Sequence, residues 1–121
     1  MQTPKDRSTV KWQPPTLGFV KLNFDGASRF NPGQFGLEAC IRNCFGKVLA
    51  ITMTPLPIGT YNMATAQSLL SGLILAKKWN FYQVHIEGDS QVIISACIKR
   101  YSSSWKLNYV LQQIWNIIDQ F

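Results

Sequence analysis

A short run of alternating residues, Val20 to Asp25, limits what this chain can form more than any other stretch. Apolar side chains at Val20, Leu22 and Phe24 alternate with polar ones between them. This two-residue period predicts a β-strand with one buried face. We expect Asp25 to end that strand, because the small residues Gly26 and Ala27 follow it at once. A lone aspartate at such a place usually serves a turn or a cap, so a larger role requires other carboxylates nearby.

Composition narrows the class of protein. The chain has 121 residues, which is enough for one domain with its own core. The chain contains twelve Lys and Arg residues but only six Asp and Glu residues, which gives a net charge of +6. This excess favours a polyanionic partner such as nucleic acid, with an ordinary basic surface as the alternative. No apolar run reaches the roughly 18 residues of a membrane span, so we expect no membrane partner.

The three cysteines and the single histidine argue against a metal or disulfide scaffold. The cysteine count is odd, and no pair has Cys-x-x-Cys spacing. A disulfide framework or a zinc site is therefore not expected, and an intracellular, reducing compartment is the better prediction.

The order of predicted elements indicates a mixed fold of the α/β (α+β) class. Residues 1–16 are polar and contain prolines, which predicts an N-terminal linker or arm ahead of a domain at 17–121. Three strands in an antiparallel meander should come first, then a long helix, a fourth strand and two more helices. The expected ranges are 20–25, 35–42 and 47–54 for the strands of the meander, 62–79 for the helix, 83–88 for the fourth strand, and 90 onward and 105–121 for the last helices.

Helical spacing predicts which side chains face the core. In the long helix these include Leu69, Leu73 and Ile74, and in the next helix Val92 and Ile93. Either Asp89 or Ser90 can cap that second helix. A strand, a helix and a further strand imply a right-handed crossover, so the fourth strand should run parallel to the first.

Two carboxylates end these parallel strands. Asp25 ends the first strand and Asp89 ends the fourth, so both should reach the same edge of the sheet. Two acidic groups brought together are costly unless a cation neutralises them. Oxygen ligands suit Mg²⁺ or Mn²⁺. Glu87 lies two residues before Asp89 and is considered both as a substitute ligand and as a solvated strand residue.

The sequence resembles the ribonuclease H-like domains, specifically the plant type associated with reverse transcriptases. Several motifs match in order and spacing. They are Lys21-Leu22-Asn23-Phe24-Asp25-Gly26-Ala27, Asn31-Pro32-Gly33 with Gly36, Ile41-Arg42-Asn43 with Gly46, the segment Asn62 to Leu73, and Glu87-Gly88-Asp89-Ser90. The resemblance implies cleavage of the RNA strand of RNA–DNA hybrids by two metal ions held on four carboxylates.

The family's catalytic set is matched only in part. The resemblance assigns Asp25 and Asp89 as metal ligands and catalytic residues. The family's helix glutamate corresponds to Gln67, in the pair Ala66-Gln67, and glutamine carries no charge. The fourth carboxylate would follow a fifth strand, in a last helix, and the sequence ends at Phe121 before these elements. The expected consequence is weak Mg²⁺ or Mn²⁺ binding and impaired cleavage.

Candidate nucleic-acid contacts come from charge and from the resemblance. In the family the turn after the first strand approaches the RNA backbone. The candidates are Gly26, Ala27, Ser28 and Arg29 after that strand, and Lys99, Arg100 and Lys106 near the serine loop at 102–104.

Two kinds of function therefore stay open. The first is a hybrid-specific endoribonuclease, with impaired activity. The alternative is a catalytically inactive module of retroelement origin that binds nucleic acid or protein. Without a fifth strand, the fourth strand would be an open edge that could pair with a partner chain.

Overall fold

A computed structural model describes residues 14–29, 35–55, 61–88, 90–101 and 105–121. Asp89, the serine loop at 102–104 and residues 1–13 of the predicted linker lie outside these ranges. The elements are β1 (Val20–Arg29), β2 (Phe35–Arg42), β3 (Val48–Pro55), α1 (Tyr61–Lys78), β4 (Val84–Gly88), α2 (Gln91–Lys99) and α3 (Trp105–Ile118).

The strands form one four-stranded mixed sheet in the order β3-β2-β1-β4. β1 pairs with β2, and β2 with β3, in antiparallel orientation. β4 pairs with β1 in parallel orientation, with Asn23 opposite Glu87 and Phe24 opposite Gly88. The predicted meander with a parallel fourth strand is therefore confirmed. Within the described residues β4 is an edge strand.

The expected end of the first strand at Asp25 was wrong. β1 continues to Arg29, and its register with β2 shifts between Asp25 and Ser28. Such a bulge changes the direction of a strand without ending its pairing. Periodicity suggested an end because small residues interrupt the alternation there. Asp25 thus lies within a paired strand, beside an irregularity, and not in a turn.

One face of the sheet carries the core. Leu22 and Phe24 of β1 and Ala39 and Ile41 of β2 point to this face and are buried against helix residues. α1 packs on β1 and β2, and α3 packs on α1. The buried helix positions include Ala66, Leu69, Leu73 and Ala76 of α1, Ile93 of α2, and Leu107, Leu111 and Ile114 of α3.

Two predicted core positions lie on the surface instead. Ile74 of α1 is 52% exposed and Val92 of α2 is 56% exposed. Both sit at the margins of their apolar stripes, where helical spacing alone cannot separate a buried residue from a boundary residue.

Ser90 caps α2, because its side chain accepts a hydrogen bond from the backbone N–H of Ile93 at 3.3 Å. None of the helices in the described ranges is long and apolar enough to cross a bilayer.

Gly72 marks the closest approach of α1 to the sheet. A Cβ atom at this position would lie 2.5 Å from Cδ1 of Leu22 and 2.9 Å from Cβ of Ala39, and both of those residues are fully buried. The helix therefore reaches the sheet at this depth only because position 72 has no side chain.

Replacing Gly72 with alanine should destabilise the protein, although alanine is the better helix former by about 1 kcal/mol. We expect the Gly72→Ala variant to lose about 1–2 kcal/mol in the free energy of unfolding, because overpacking outweighs the gain in helix propensity. Urea unfolding measures the change. Ser71→Ala, one position away on the same helix, is the control and should not lower stability. A more stable Gly72→Ala protein would contradict the close packing.

Candidate active site on the open face of the sheet

The polar side chains of β1 point away from the helices. Lys21, Asn23 and Asp25 alternate with the buried apolar residues and so share the opposite face of the sheet. On this face, next to β2 and β4, lies a cavity of about 250 Å³. The residues that line it are Asn23, Phe24, Asp25, Glu38, Cys40, Arg42, Glu87 and Gly88.

Asp25 lies next to a second carboxylate that the sequence did not single out. The register of the β1–β2 pair places Glu38 directly opposite Asp25, and both residues line the cavity. Glu38 could have been found from sequence only if the exact register of the hairpin had been known. Like charges directly opposite each other are unfavourable in a sheet, so a role for this pair beyond pairing of the strands is worth testing.

Glu87 lines the same cavity but is engaged by β1. Its Oε2 atom lies 3.1 Å from Nζ of Lys21, and its Oε1 atom accepts a hydrogen bond from Nδ2 of Asn23 at 3.3 Å. The Lys21 side chain is only 7% exposed, whereas that of Glu87 is 52% exposed. Glu87 therefore compensates a buried ammonium, and this contact competes with the role of substitute metal ligand considered for it.

The burial of Lys21 is the second feature that sequence reasoning missed. Alternation places Lys21 correctly on the open face, but open faces are normally solvated. The burial of Lys21 could have been predicted only from the pairing of β1 with β4, because that pairing brings Glu87 next to it. Arg42, also missed, lies opposite Lys21 and lines the cavity.

Gln67 lies on α1 and is not among the residues that line the cavity. It is half-buried, and the next residue, Ser68, is buried. The Ser68 hydroxyl donates a hydrogen bond to the backbone carbonyl of Glu38 at 2.5 Å. This contact anchors the first half of α1 over the strand segment that faces Asp25. Asp89, the other predicted ligand, lies outside the described residues.

The donor atoms suit a hard divalent cation in kind. Asp25 and Glu38 both line the cavity, and carboxylate oxygens are the ligands that Mg²⁺ and Mn²⁺ prefer. Within the described ranges, no three His, Cys, Asp or Glu side chains are grouped so as to hold a metal ion. Of the two predicted metal ligands, the structure thus describes Asp25 alone.

The predicted nucleic-acid contacts fall into two groups. Gly26, Ala27, Ser28 and Arg29 lie on β1 at and after the bulge, and their side chains lie outside the description. Lys99 ends α2 and is exposed, and Arg100 follows it as the C-cap. Lys106 lies in the first turn of α3, and its side chain is likewise outside the description.

Arg100 is already paired. Its guanidinium contacts both carboxylate oxygens of Asp119, at 3.0 Å and 2.5 Å. This hydrogen-bonded pairing lowers the pKa of Asp119 and raises that of Arg100.

The burial of Cys97, close by on α2, raises the pKa of its thiol to about 11, so this cysteine is a packing residue at neutral pH.

A helix-covered mixed sheet with a parallel fourth strand, and an aspartate on the central strand, define a ribonuclease H-like domain. Residues 23–121 match the family described as "Reverse transcriptase-like", and the chain belongs to that family. Among named relatives, a protein of Arabidopsis thaliana named as a ribonuclease H protein is 31% identical over 111 residues, which cover 90% of this chain. Ribonuclease HI of Halobacterium salinarum is 30% identical over 106 residues, or 88% of this chain. The matches span 18% and 51% of those two proteins.

Solved structures share the fold. The N-terminal RNase H domain of a Mycobacterium tuberculosis protein superposes with a TM-score of 0.74 at 27% identity, covering 84% of this chain and 79% of that one. LC11-RNase H1, isolated from compost by a metagenomic approach and solved in complex with an RNA/DNA hybrid, has a TM-score of 0.71 at 21% identity. That match covers 84% of this chain and 77% of the other. The ribonuclease H-like fold expected from the sequence motifs is confirmed.

Proposed function

We propose that this domain binds RNA–DNA hybrids and retains an impaired form of the hybrid endoribonuclease site, centred on Asp25. One observation carries the proposal. Asp25 lies on the internal strand β1, beside the bulge, where it lines the cavity on the open face of the sheet. The net charge of +6 favours a polyanionic ligand. The relatives support it too, because two of them are named as ribonucleases H and a third was solved with an RNA/DNA hybrid.

In this proposal Asp25 and Asp89 hold Mg²⁺ or Mn²⁺, and Gln67 stands where the family has a glutamate. The chemistry that bound divalent ions supply is the activation of a water and the stabilisation of the leaving oxygen. Asp25 contributes charged oxygens, whereas Gln67 can offer only a neutral amide oxygen. Cation affinity depends on the number of charged ligands, so we infer weak metal binding and slow cleavage.

The substrate would meet two surfaces. Gly26, Ala27 and Ser28 would contact the RNA backbone beyond the bulge, with Arg29 beside them. Lys99, Arg100 and Lys106 would contact phosphates at the ends of α2 and α3. Phosphate contacts of this kind provide affinity without sequence preference and make it strongly dependent on salt.

The second candidate is a binding module without catalysis, and Gln67 is the observation that favours it. The edge position of β4 adds a protein-interaction variant, in which a partner chain pairs with that strand. Light scattering after gel filtration tests this variant, because a monomer at every concentration would count against it. We place either activity in a reducing compartment, consistent with the three free cysteines.

The test of the Asp25 site compares the parent protein with Asp25→Asn on a labelled RNA–DNA hybrid. In EDTA both proteins should bind the hybrid, the variant at least as tightly because it has lost a negative charge. With Mn²⁺ the parent should cut slowly, and Asp25→Asn should lower that rate by about 100-fold or more, on the order of 3 kcal/mol of transition-state stabilisation. Cutting that survives the substitution would remove Asp25 from the mechanism. Failure of the parent to bind in low salt would exclude hybrid binding.

A further inference from the structure

The C-terminal end of α2 presents cations and an aromatic ring together. Lys99 is exposed, and Tyr101, two residues later, is 70% exposed. Between them Arg100 adopts the left-handed conformation, with φ +55°. Cations beside an exposed aromatic ring are the pattern that binds nucleic-acid backbone and bases. We call residues 99–101 the α2-end surface.

Hydrogen bonds to the backbone at the end of α2 fix the position of Arg100 relative to α3. The N–H of Arg100 donates a hydrogen bond to the carbonyl of Ala96 at 2.9 Å, which closes the helix. Nε1 of Trp115, on α3, donates to the same carbonyl at 3.2 Å. α3 is thereby held against the end of α2. Asp119 follows Trp115 by one helical turn, and its own N–H donates to the Trp115 carbonyl at 3.1 Å. Asp119 is thus brought within reach of Arg100.

The resulting contact uses both arms of the guanidinium. Nη1 of Arg100 donates to Oδ2 of Asp119 at 3.0 Å, and Nη2 donates to Oδ1 at 2.5 Å. A carboxylate bound in this way presents two oxygens to arginine in the same geometry as a phosphate. The two side chains are 44% and 60% exposed, so a phosphate in solution can reach the pair.

We propose that Asp119 is an intramolecular competitor for nucleic-acid phosphate, which occupies Arg100 and lowers the affinity of the α2-end surface for a hybrid. This inference rests on the proposed hybrid binding. Exposed ion pairs are weak, so a phosphate can displace Asp119, but each binding event must first break the pair. The structure therefore assigns Asp119 a role in setting affinity, although it lies outside the candidate active site.

The test is a double-mutant cycle of Asp119→Asn and Arg100→Gln. Binding of a short fluorescein-labelled RNA–DNA hybrid is measured by anisotropy in EDTA, at several salt concentrations. Asp119→Asn should tighten binding by about two- to fivefold at low salt, the range expected for release of an exposed ion pair. The slope of log affinity against log salt concentration should also be steeper in this variant, by up to about the amount that one additional phosphate contact contributes. Thermal melting checks that every variant is folded.

The Arg100→Gln background separates the competitor from a general change in charge. If Asp119 acts through Arg100, adding Asp119→Asn to Arg100→Gln should change the affinity by much less than it does in the parent. An equal gain in both backgrounds would overturn the proposal, because it would show that the loss of a negative charge alone explains the tighter binding. A loss or no change of affinity in Asp119→Asn would overturn it as well.

A second experiment tests this inference independently of hybrid binding. If neither the parent nor the variants bind the hybrid, the proposed function is wrong, and inorganic pyrophosphate then replaces the hybrid as the probe. The NMR signal of the Arg100 guanidinium should shift at lower pyrophosphate concentration in Asp119→Asn than in the parent. The same response in both proteins would show that Asp119 does not compete for Arg100.

Discussion

Replacing Gly88 with alanine should lower the free energy of unfolding by about 1–3 kcal/mol and disturb the strand pair that leads to the candidate site. Gly88 pairs with Phe24 in the parallel β1–β4 register, and the ring of Phe24 covers its Cα atom. A Cβ atom at position 88 would fall inside van der Waals contact with three atoms of that ring. Phe24 is only 3% exposed and belongs to the core, so a shift of its ring would disturb the packing of its neighbours.

The effect should extend to function, since Phe24 directly precedes Asp25 and Gly88 directly precedes Asp89. Equilibrium unfolding in urea measures the loss. A smaller residue at position 24 supplies the control. Phe24→Leu alone should destabilise the protein, but in the Gly88→Ala background it should cost less, because it relieves the clash. Strictly additive effects of the two substitutions would contradict the contact between the ring and Gly88.

The ion pair on the open face should respond asymmetrically to removal of its two partners. Glu87→Ala removes the carboxylate that Lys21 contacts and leaves the buried ammonium directly opposite Arg42. We expect it to cost about 1–3 kcal/mol, because a buried charged donor loses one of its acceptors. Lys21→Met removes the buried charge itself and leaves Glu87, whose side chain is 52% exposed, in contact with water. It should therefore cost less than Glu87→Ala.

The order of these two effects is the test, and urea unfolding measures it. In the double variant Lys21→Met with Glu87→Ala, the second substitution should add little, because no buried ammonium remains. Equal losses in the two single variants would contradict the asymmetry expected from the 7% and 52% exposure of the two side chains.

Periodicity was enough to predict the order and type of the elements. The alternation in β1 and the helical spacing of Leu69 and Leu73 arise from burial on one face, and burial is what the pattern records. The rule for crossover connections then placed β4 parallel to β1. Together these place the two strands that carry Asp25 and lead to Asp89 side by side.

What the sequence did not reveal depends on register and on local irregularity. The bulge after Asp25 shifts the pairing by an amount that no residue pattern specifies, so the strand was expected to end too early. Glu38 faces Asp25, and Glu87 faces Asn23, only in the observed registers. The pairing of Arg100 with Asp119 requires α3 to dock on the end of α2, which the Trp115 hydrogen bond fixes and composition does not show.

We propose that Gln67, at the position of the family's helix glutamate, weakens the site around Asp25 in this ribonuclease H-like domain. The most direct test of this proposal is metal-dependent cleavage of a labelled RNA–DNA hybrid by the parent protein, by Gln67→Glu, and by Gln67→Glu combined with Asp25→Asn. We expect Gln67→Glu to restore a charged ligand and to raise the rate by about tenfold or more, with the gain lost in the double variant. No gain in a folded Gln67→Glu protein, or a gain that persists without Asp25, would contradict the proposal.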